Sequence, residues 1–185
     1  MRLNILLGLL ITGSIFSSCQ KANMAEPNEE ELITTMKLTF IPVGGGATLI
    51  FQFDDPDGPG GIAATTDEIL LSPSTEYHVS LQLLNKTSNP VDDITAEVEG
   101  EAGAHRFYYE PSAGSNLVIS GFDTDPGGLP LGINSIWTTG AQSTGNILIT
   151  LRHYIGTPPD KAPGDPVNSA KSTTDIAVSY NTKIQ

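Results

Sequence analysis

Beyond residue 32, apolar and polar side chains alternate with a period of two, which is the pattern of half-buried β-strands. Segments 36–40 and 49–53 each place Met, Leu or Phe at every second position. Three consecutive glycines at 44–46 lie between the two segments and indicate a turn. We therefore predict two strands joined by this turn.

Further segments show strand character at 77–83, 105–110, 116–122, 133–139, 145–154 and 174–184. About eight short strands separated by turn residues predict an all-β fold, specifically an antiparallel β-sandwich of immunoglobulin-like architecture over residues 32–185. Residues 156–173 contain four prolines, which cannot donate to a strand ladder. We predict a long surface loop there.

One segment departs from the two-residue period. Val91, Ile94 and Val98 follow one another at spacings of three and four residues, and Asp92 and Asp93 precede Ile94. Carboxylates in a first turn suit the positive end of a helix dipole. We predict one short helix over about 91–99, ended by glycine; a doubly wound parallel sheet would need several helices.

The N-terminus has the features of an export signal. Arg2 precedes an apolar run at 5–11 that is too short to span a membrane, and small residues lead to Cys19. The sequence Phe-Ser-Ser-Cys at 16–19 resembles a bacterial lipobox. We predict a lipoprotein signal peptide over 1–18 and a lipid on Cys19; an ordinary signal peptide with an incidental cysteine is the alternative.

Residues 19–31 are polar and end in three consecutive glutamates, which predicts an acidic, solvated tether. Acidic residues just after the cysteine also resemble the surface-export signals of Bacteroidetes lipoproteins. The expected location is the outer membrane, through a lipid anchor, on the periplasmic face or the cell surface. Cys19 is the single cysteine, so no internal disulfide is expected.

Composition narrows the range of functions. Nine Lys and Arg against 21 Asp and Glu give a formal net charge of −12, which excludes a nucleic-acid binder that works by phosphate neutralisation. The chain has no G-x-S-x-G, no H-E-x-x-H and no phosphate-cradling loop. We therefore predict a protein that is not an enzyme.

The three histidines occupy different positions in the apolar–polar alternation of their strands. His105 is in phase with Phe107 and Tyr109, and His153 is in phase with the apolar residues of 147–151, whereas His78 lies on a polar face. Two interpretations stay open for the first pair: partly buried, hydrogen-bonded histidines, or ligands of zinc, copper or iron. In a metal site Glu101 would complete the set, so the candidate ligands are His105, His153 and Glu101.

Two acidic loops have similar sequences. Each follows a strand and places carboxylates beside glycines; the residues are Asp54, Asp55 and Asp57 in the first loop and Asp123 and Asp125 in the second. Oxygen ligands on a turning backbone suit Ca²⁺. The alternative is that these aspartates are solvated and form turns.

The chain resembles a family of Bacteroidetes lipoproteins labelled "type 1 periplasmic binding fold superfamily". The segments that carry the resemblance lie at 34–40 with 44–46, 53–58, 83–85, 92–94, 105–108, 122–125 with 130–132, 149–153 and 174–178. The label implies a large two-lobed α/β protein, whereas the residues predict a small all-β domain, and we follow the residues.

The resemblance implies a small envelope lipoprotein that works beside a TonB-dependent outer-membrane receptor. Two functional hypotheses follow. The first is a non-enzymatic module that binds a nutrient, metal or metal complex for such a receptor. The second is a structural or protein-interaction lipoprotein with no small ligand.

Overall fold

Ten strands and one helix make up residues 32–185, the part of the chain that the computed structural model describes. The strands are β1 Thr35–Pro42, β2 Leu49–Asp54, β3 Thr65–Thr66, β4 Ile69–Leu71, β5 Glu76–Leu84, β6 His105–Pro111, β7 Leu117–Ser120, β8 Asn134–Thr139, β9 Ser143–Tyr154 and β10 Ser172–Ile184; helix α1 is Ile94–Gly100. The predicted signal peptide, Cys19 and the tether lie outside the described residues.

The strands form two sheets that pack as a sandwich. One sheet has six strands in the order β3-β2-β1-β5-β8-β7, and the other has four in the order β4-β10-β9-β6. The all-β prediction is confirmed, and its immunoglobulin-like detail stays a prediction. The short strands β3 and β4 were not predicted, because two or three residues are too few to show an alternation.

One strand pair is parallel, in contrast to the antiparallel prediction. Strand β4 runs parallel to β10, with Ile69 opposite Thr182. The segment crosses from β3, at the edge of one sheet, to the edge of the other sheet. Because it does not fold back as a hairpin, no tight turn forces an antiparallel direction.

The predicted turn between β1 and β2 is confirmed. The two strands pair antiparallel with Met36 opposite Phe53 and Phe40 opposite Leu49. Gly44 and Gly45 have φ values of 95° and 101°, a conformation that side chains with a Cβ rarely adopt. The glycine run therefore serves the turn directly.

Aromatic side chains fill the centre of the sandwich. Trp137 and Phe40 are fully buried, and their rings meet edge to face with centroids 5.0 Å apart. Phe40 also contacts Phe51 and Tyr77 edge to face, at 5.6 and 5.9 Å. These rings come from the apolar phases of strands β1, β2, β5 and β8, as the alternation predicts.

A side chain of β10 joins the two sheets. The hydroxyl of Tyr180 donates to the carbonyl oxygen of Met36 at 2.8 Å and accepts from the backbone N–H of Phe53 at 3.1 Å. Both partners belong to the six-stranded sheet, whereas Tyr180 belongs to the four-stranded one. The buried hydroxyl therefore fixes how the sheets sit on each other.

The helix begins at Ile94, three residues later than predicted at its N-terminus. Asp93 is its N-cap, and the carboxylate accepts from the backbone N–H of Thr95 at 3.1 Å. Asp92 instead forms a β-bridge with Asn85, which keeps it out of the helix. Within residues 32–185, no helix is long and apolar enough to cross a membrane.

The predicted proline-rich loop is confirmed over 156–171, where no helix or strand occurs. Its last two predicted residues, 172 and 173, belong to β10. One feature was not predicted: Lys161 of this loop is buried, with 8% of its surface exposed. The loop is therefore anchored to the domain at that point.

We predict that Tyr180→Phe lowers the free energy of unfolding by about 1–3 kcal/mol, because two buried backbone groups lose a partner. Urea unfolding of the purified protein measures the change. Ser179→Ala, on the exposed face of the same strand, is the control and should change stability by less than about 0.5 kcal/mol. Equal effects of the two substitutions would contradict the role of the hydroxyl.

Candidate metal centre

The two candidate histidines lie side by side at one end of the four-stranded sheet. Strands β6 and β9 pair antiparallel with His105 directly opposite His153, and the imidazole centroids are 4.3 Å apart. Directly opposite residues share a face of the sheet. That face is the inner one, because Phe107 and Leu151, the next pair on the same side, are buried.

Glu101 joins this pair from the turn between α1 and β6. It is the C-cap of the helix, and the backbone N–H of Ala104 donates to its carbonyl oxygen at 2.8 Å. One carboxylate oxygen of Glu101 and one ring nitrogen of each histidine, His105 and His153, all lie within 4.8 Å of one another. Among residues 32–185 this is the group of metal-ligating side chains that comes together.

The three side chains span the boundary between core and solvent. His105 is fully buried, His153 is partly buried and Glu101 is exposed. An ion held by all three would therefore lie at the rim of the sandwich, with access to solvent on the Glu101 side. Both histidines are in phase with apolar residues of their strands, as the sequence analysis found.

The orientation of the His105 ring follows from its neighbours. Its Nδ1 lies 3.2 Å from the backbone carbonyl oxygen of Glu101, which can only accept, so we assign the hydrogen to Nδ1. In a neutral ring Nε2 then carries the lone pair. A ring N–H that donates to a backbone carbonyl is typical of metal-ligating histidines, because that hydrogen bond fixes the orientation of the ring.

Both imidazoles favour the neutral, ligating form. Burial lowers the pKa of His105 to about 4, the neighbouring His153 adds to this effect, and the hydrogen bond to the Glu101 carbonyl opposes it. Burial also lowers the pKa of His153, and the carboxylate of Glu101 opposes that shift. Because protons do not compete for these nitrogens at neutral pH, a cation can bind there.

A further polar side chain, Asp175, lies beside His105 and was not predicted from the sequence. An oxygen of Asp175 lies 3.8 Å from Nε2 of His105, and both side chains are almost fully buried, at 1% and 0% exposure. Simple alternation along β10 puts Asp175 in phase with the exposed residues Ala177 and Ser179. A β-bulge between Thr174 and Ile176 breaks that phase and explains why Asp175 faces inward.

The sequence did contain one signal for this residue. Asp175 is the single acidic residue of β10, and aspartate is unfavourable within strands unless something local requires it. The bulge itself leaves no mark in the hydrophobic pattern. The inward orientation and the burial of Asp175 are therefore visible only in the structure, from the way β9 and β10 pair.

A buried ion pair fixes the turn that carries Glu101 and His105. The Lys161 ammonium lies 2.7 Å from a carboxylate oxygen of Asp125, and the two side chains are 1% and 4% exposed. Lys161 also donates to the carbonyl oxygens of Ala102 at 2.7 Å and His105 at 2.8 Å. The proline-rich loop thus holds both ends of the turn 102–105.

The charge state of this pair is set by its partners. Burial alone would raise the pKa of Asp125, but the Lys161 ammonium and the backbone N–H of Leu129 outweigh it, so the pKa is lowered. Asp125 is therefore a carboxylate at neutral pH. It serves as the counter-ion of Lys161 and is not available to a second cation without losing that partner.

The other members of the predicted calcium loops also contact protein donors. Asp54 forms an ion pair with Lys86 at 2.6 Å, Asp57 accepts from a backbone N–H at 2.8 Å, and Asp123 accepts from the N–H of Gly132 at 2.8 Å. Such contacts are those of turn-forming aspartates. The calcium hypothesis, which also includes Asp55, stays a prediction, and the turn-forming alternative has the better support.

His78 lies where the alternation placed it, on the exposed face of β5. In the sheet register it stands opposite Ile41 on one side and Ile136 on the other. It belongs to the six-stranded sheet, whereas the candidate ligands lie in and beside the four-stranded one. His78 is thus the natural control for the other two histidines.

Comparison of the chain with protein-family models, curated proteins and solved structures finds no significant match in any of the three. The family resemblance drawn from the sequence therefore stays a prediction.

We predict that Lys161→Met lowers the free energy of unfolding by about 3–5 kcal/mol, because it leaves the Asp125 carboxylate buried without its counter-ion. Lys171→Met is the matched control: its ammonium pairs with Asp165 at 3.1 Å, but the side chain is 40% exposed. That substitution should cost less than about 1 kcal/mol. Guanidinium unfolding measures both.

A double substitution separates the ion pair from general packing. Adding Asp125→Leu to Lys161→Met removes the unpaired charge, so part of the lost stability should return. Additive losses in the double variant would contradict the buried pair as the cause.

Proposed function

We propose that this protein is a non-enzymatic binding module that holds a divalent transition metal, with zinc as the first candidate, through Glu101, His105 and His153. The observation that carries the proposal is the convergence of three ligand atoms within 4.8 Å on the rim of the sandwich. Sequence phase and strand pairing point independently to the two histidines. A set that contains two neutral imidazoles suits zinc, copper or iron better than calcium.

The distances suit one small ion. Zinc binds imidazole nitrogen and carboxylate oxygen at about 2.0–2.2 Å, so two atoms bound to one ion lie at most about 4.4 Å apart. Ligand atoms within 4.8 Å reach that range through small side-chain rotations. Glu101 is exposed and needs little rearrangement of the core to close on the ion.

The cellular setting of the proposal is the outer membrane. The signal at 1–18 and the cysteine that follows it support a lipid anchor on Cys19, and the resemblance to Bacteroidetes lipoproteins supports a TonB-dependent receptor as partner. Exposure of one ligand would let a bound ion exchange with solvent, which delivery to a receptor requires. The cargo would be the metal itself or a complex that leaves two coordination positions to the histidines.

We predict that the purified protein binds one zinc ion and that His105→Ala and His153→Ala each remove this binding in isothermal calorimetry. Loss of a hydrogen-bond partner of a metal ligand costs roughly 10–100-fold in affinity, so loss of the ligand itself should cost at least that. His78→Ala is the control and should bind as the wild type does. Thermal unfolding without metal verifies that each variant folds.

Two outcomes would count against the proposal. A wild-type protein that binds neither zinc nor copper would favour the alternative, a structural or protein-interaction lipoprotein without a small ligand. Equal loss of binding in all three histidine variants would indicate nonspecific association of metal with surface imidazoles.

The predicted lipid anchor on Cys19 can be tested separately from metal binding. Cys19→Ala removes the acceptor of the lipid, so we predict that the protein moves from the membrane fraction to the soluble envelope fraction of the native cells. Immunoblotting of the two fractions measures the shift. Substitution of Ser18 by Ala, which keeps the cysteine and a small residue before it, should leave the protein in the membrane. Unchanged membrane retention of Cys19→Ala would contradict the anchor.

A further inference from the structure

We infer that Thr173 is a positioning residue of the metal site. Its hydroxyl accepts a hydrogen bond from the ring nitrogen of His153 that faces away from the ion, and this bond holds the imidazole in its ligating orientation. The inference rests on the proposed function and deepens it, because it adds a residue outside the group of three ligands. The sequence pattern did not indicate Thr173.

Thr173 lies beside His153 on the inner face of the four-stranded sheet. In the antiparallel pairing of β9 and β10, Thr173 stands directly opposite His153, as His105 does in the pairing of β6 and β9. Directly opposite residues share a face, and their Cβ atoms lie about 4.5–5.5 Å apart. His105, His153 and Thr173 therefore form one row across three neighbouring strands.

The order of this row gives each side of the His153 ring a different neighbour. Strand β9 lies between β6 and β10, so His105 is on one side of His153 and Thr173 is on the other. Glu101 comes from the turn before β6, so the other two candidate ligands both lie on the His105 side. The two nitrogens of an imidazole point to different sides of the ring. When one of them binds the ion, the other faces the side of Thr173.

A metal-ligating histidine needs an acceptor for its second ring nitrogen. Such histidines almost always donate that N–H to an oxygen, which fixes the tautomer and the orientation of the ring. For His105 the acceptor is the carbonyl oxygen of Glu101, 3.2 Å from Nδ1. A threonine hydroxyl has two lone pairs and can accept in the same way. Thr173 is placed to do this for His153.

The Thr173 hydroxyl needs a partner of its own. Its oxygen is buried, and within residues 32–185 it makes no hydrogen bond. A buried polar group without a partner costs stability, so its presence calls for an explanation. Binding of an ion to one nitrogen of His153 places the ring hydrogen on the other nitrogen. The hydroxyl then has a donor beside it, and both groups are satisfied by one bond.

The β-bulge in β10 brings Thr173 to this position. From Leu151 to His153, β9 advances by two residues, whereas β10 uses three between their partners, Ile176 and Thr173. With regular pairing Thr174 would stand opposite His153, and Thr173 would lie on the outer face. Bulges are common beside functional sites, where they redirect a side chain. Here the redirected side chain is the one that faces His153.

The test compares zinc affinity in Thr173→Val with that in Thr182→Val, by calorimetry at neutral pH. Valine keeps the shape of threonine and removes the hydroxyl. Thr182 is the matched control: its hydroxyl is also buried without a partner among the described residues, but it stands opposite Gly145, near the other end of β10. We expect Thr173→Val to weaken zinc binding by about 10–100-fold and Thr182→Val to stay within about twofold of the wild type.

A rescue variant distinguishes the hydroxyl from the shape of the side chain. Thr173→Ser keeps the hydroxyl and should bind zinc much more tightly than Thr173→Val. Wild-type affinity in Thr173→Val, or equal weakening in the valine and serine variants, would overturn the inference while the proposed function stands. No zinc binding by the wild type would overturn the proposed function and the inference with it.

Nuclear magnetic resonance keeps the inference testable even if Thr173→Val does not fold. In a long-range proton–nitrogen correlation spectrum of the zinc-loaded wild type, His153 should show one metal-bound nitrogen and one protonated nitrogen. The hydrogen on the second nitrogen should exchange slowly with solvent, because Thr173 accepts it inside the protein. Rapid exchange of that hydrogen would mean that it faces water and would overturn the bond to Thr173.

Discussion

The buried ion pair between Lys161 and Asp125 is the interaction on which the candidate metal centre depends. It joins three segments that are far apart in sequence: the proline-rich loop, the loop after β7, and the turn between α1 and β6. Two charges out of water are costly, and the cost is offset here because Lys161 also donates to backbone carbonyls. The carbonyl of His105 is one of them, so the ion pair positions a candidate ligand directly.

Strand pairing in the four-stranded sheet sets the distance between the two imidazoles, which the ion pair does not determine. Direct pairing of His105 with His153 across β6 and β9 sets the distance between the imidazoles, and the bulge in β10 brings Asp175 to the same end. Tyr180, farther along β10, bonds to two strands of the other sheet. The strand that carries Asp175 is thereby tied to the six-stranded sheet, and the site forms on a rigid support.

Much of the fold could be predicted from the sequence because alternation directly reflects which face of a strand is buried. The same phase argument placed His105 and His153 on inward faces. Their direct pairing could not be predicted, since strand register depends on contacts between segments about 48 residues apart in the chain. The structure supplies that register, and with it the short distance between the rings.

Two buried charged residues beside the site could not be predicted from the sequence, for different reasons. Asp175 was hidden because a bulge shifts the strand by one residue without changing its hydrophobic pattern. Lys161 lies in a loop rich in proline, where lysine is normally solvated, and only its tertiary partners explain its burial. Both failures concern buried charge, which a pattern of apolar and polar positions cannot place.

The most direct measurement is X-ray diffraction from crystals of the zinc-loaded protein, with data collected on both sides of the zinc absorption edge. We predict one strong anomalous peak between the two imidazoles, within about 2.2 Å of a ring nitrogen of His105, a ring nitrogen of His153 and an oxygen of Glu101. A peak at the acidic loops or on the exposed histidine of β5, with none at the end of β6 and β9, would contradict it.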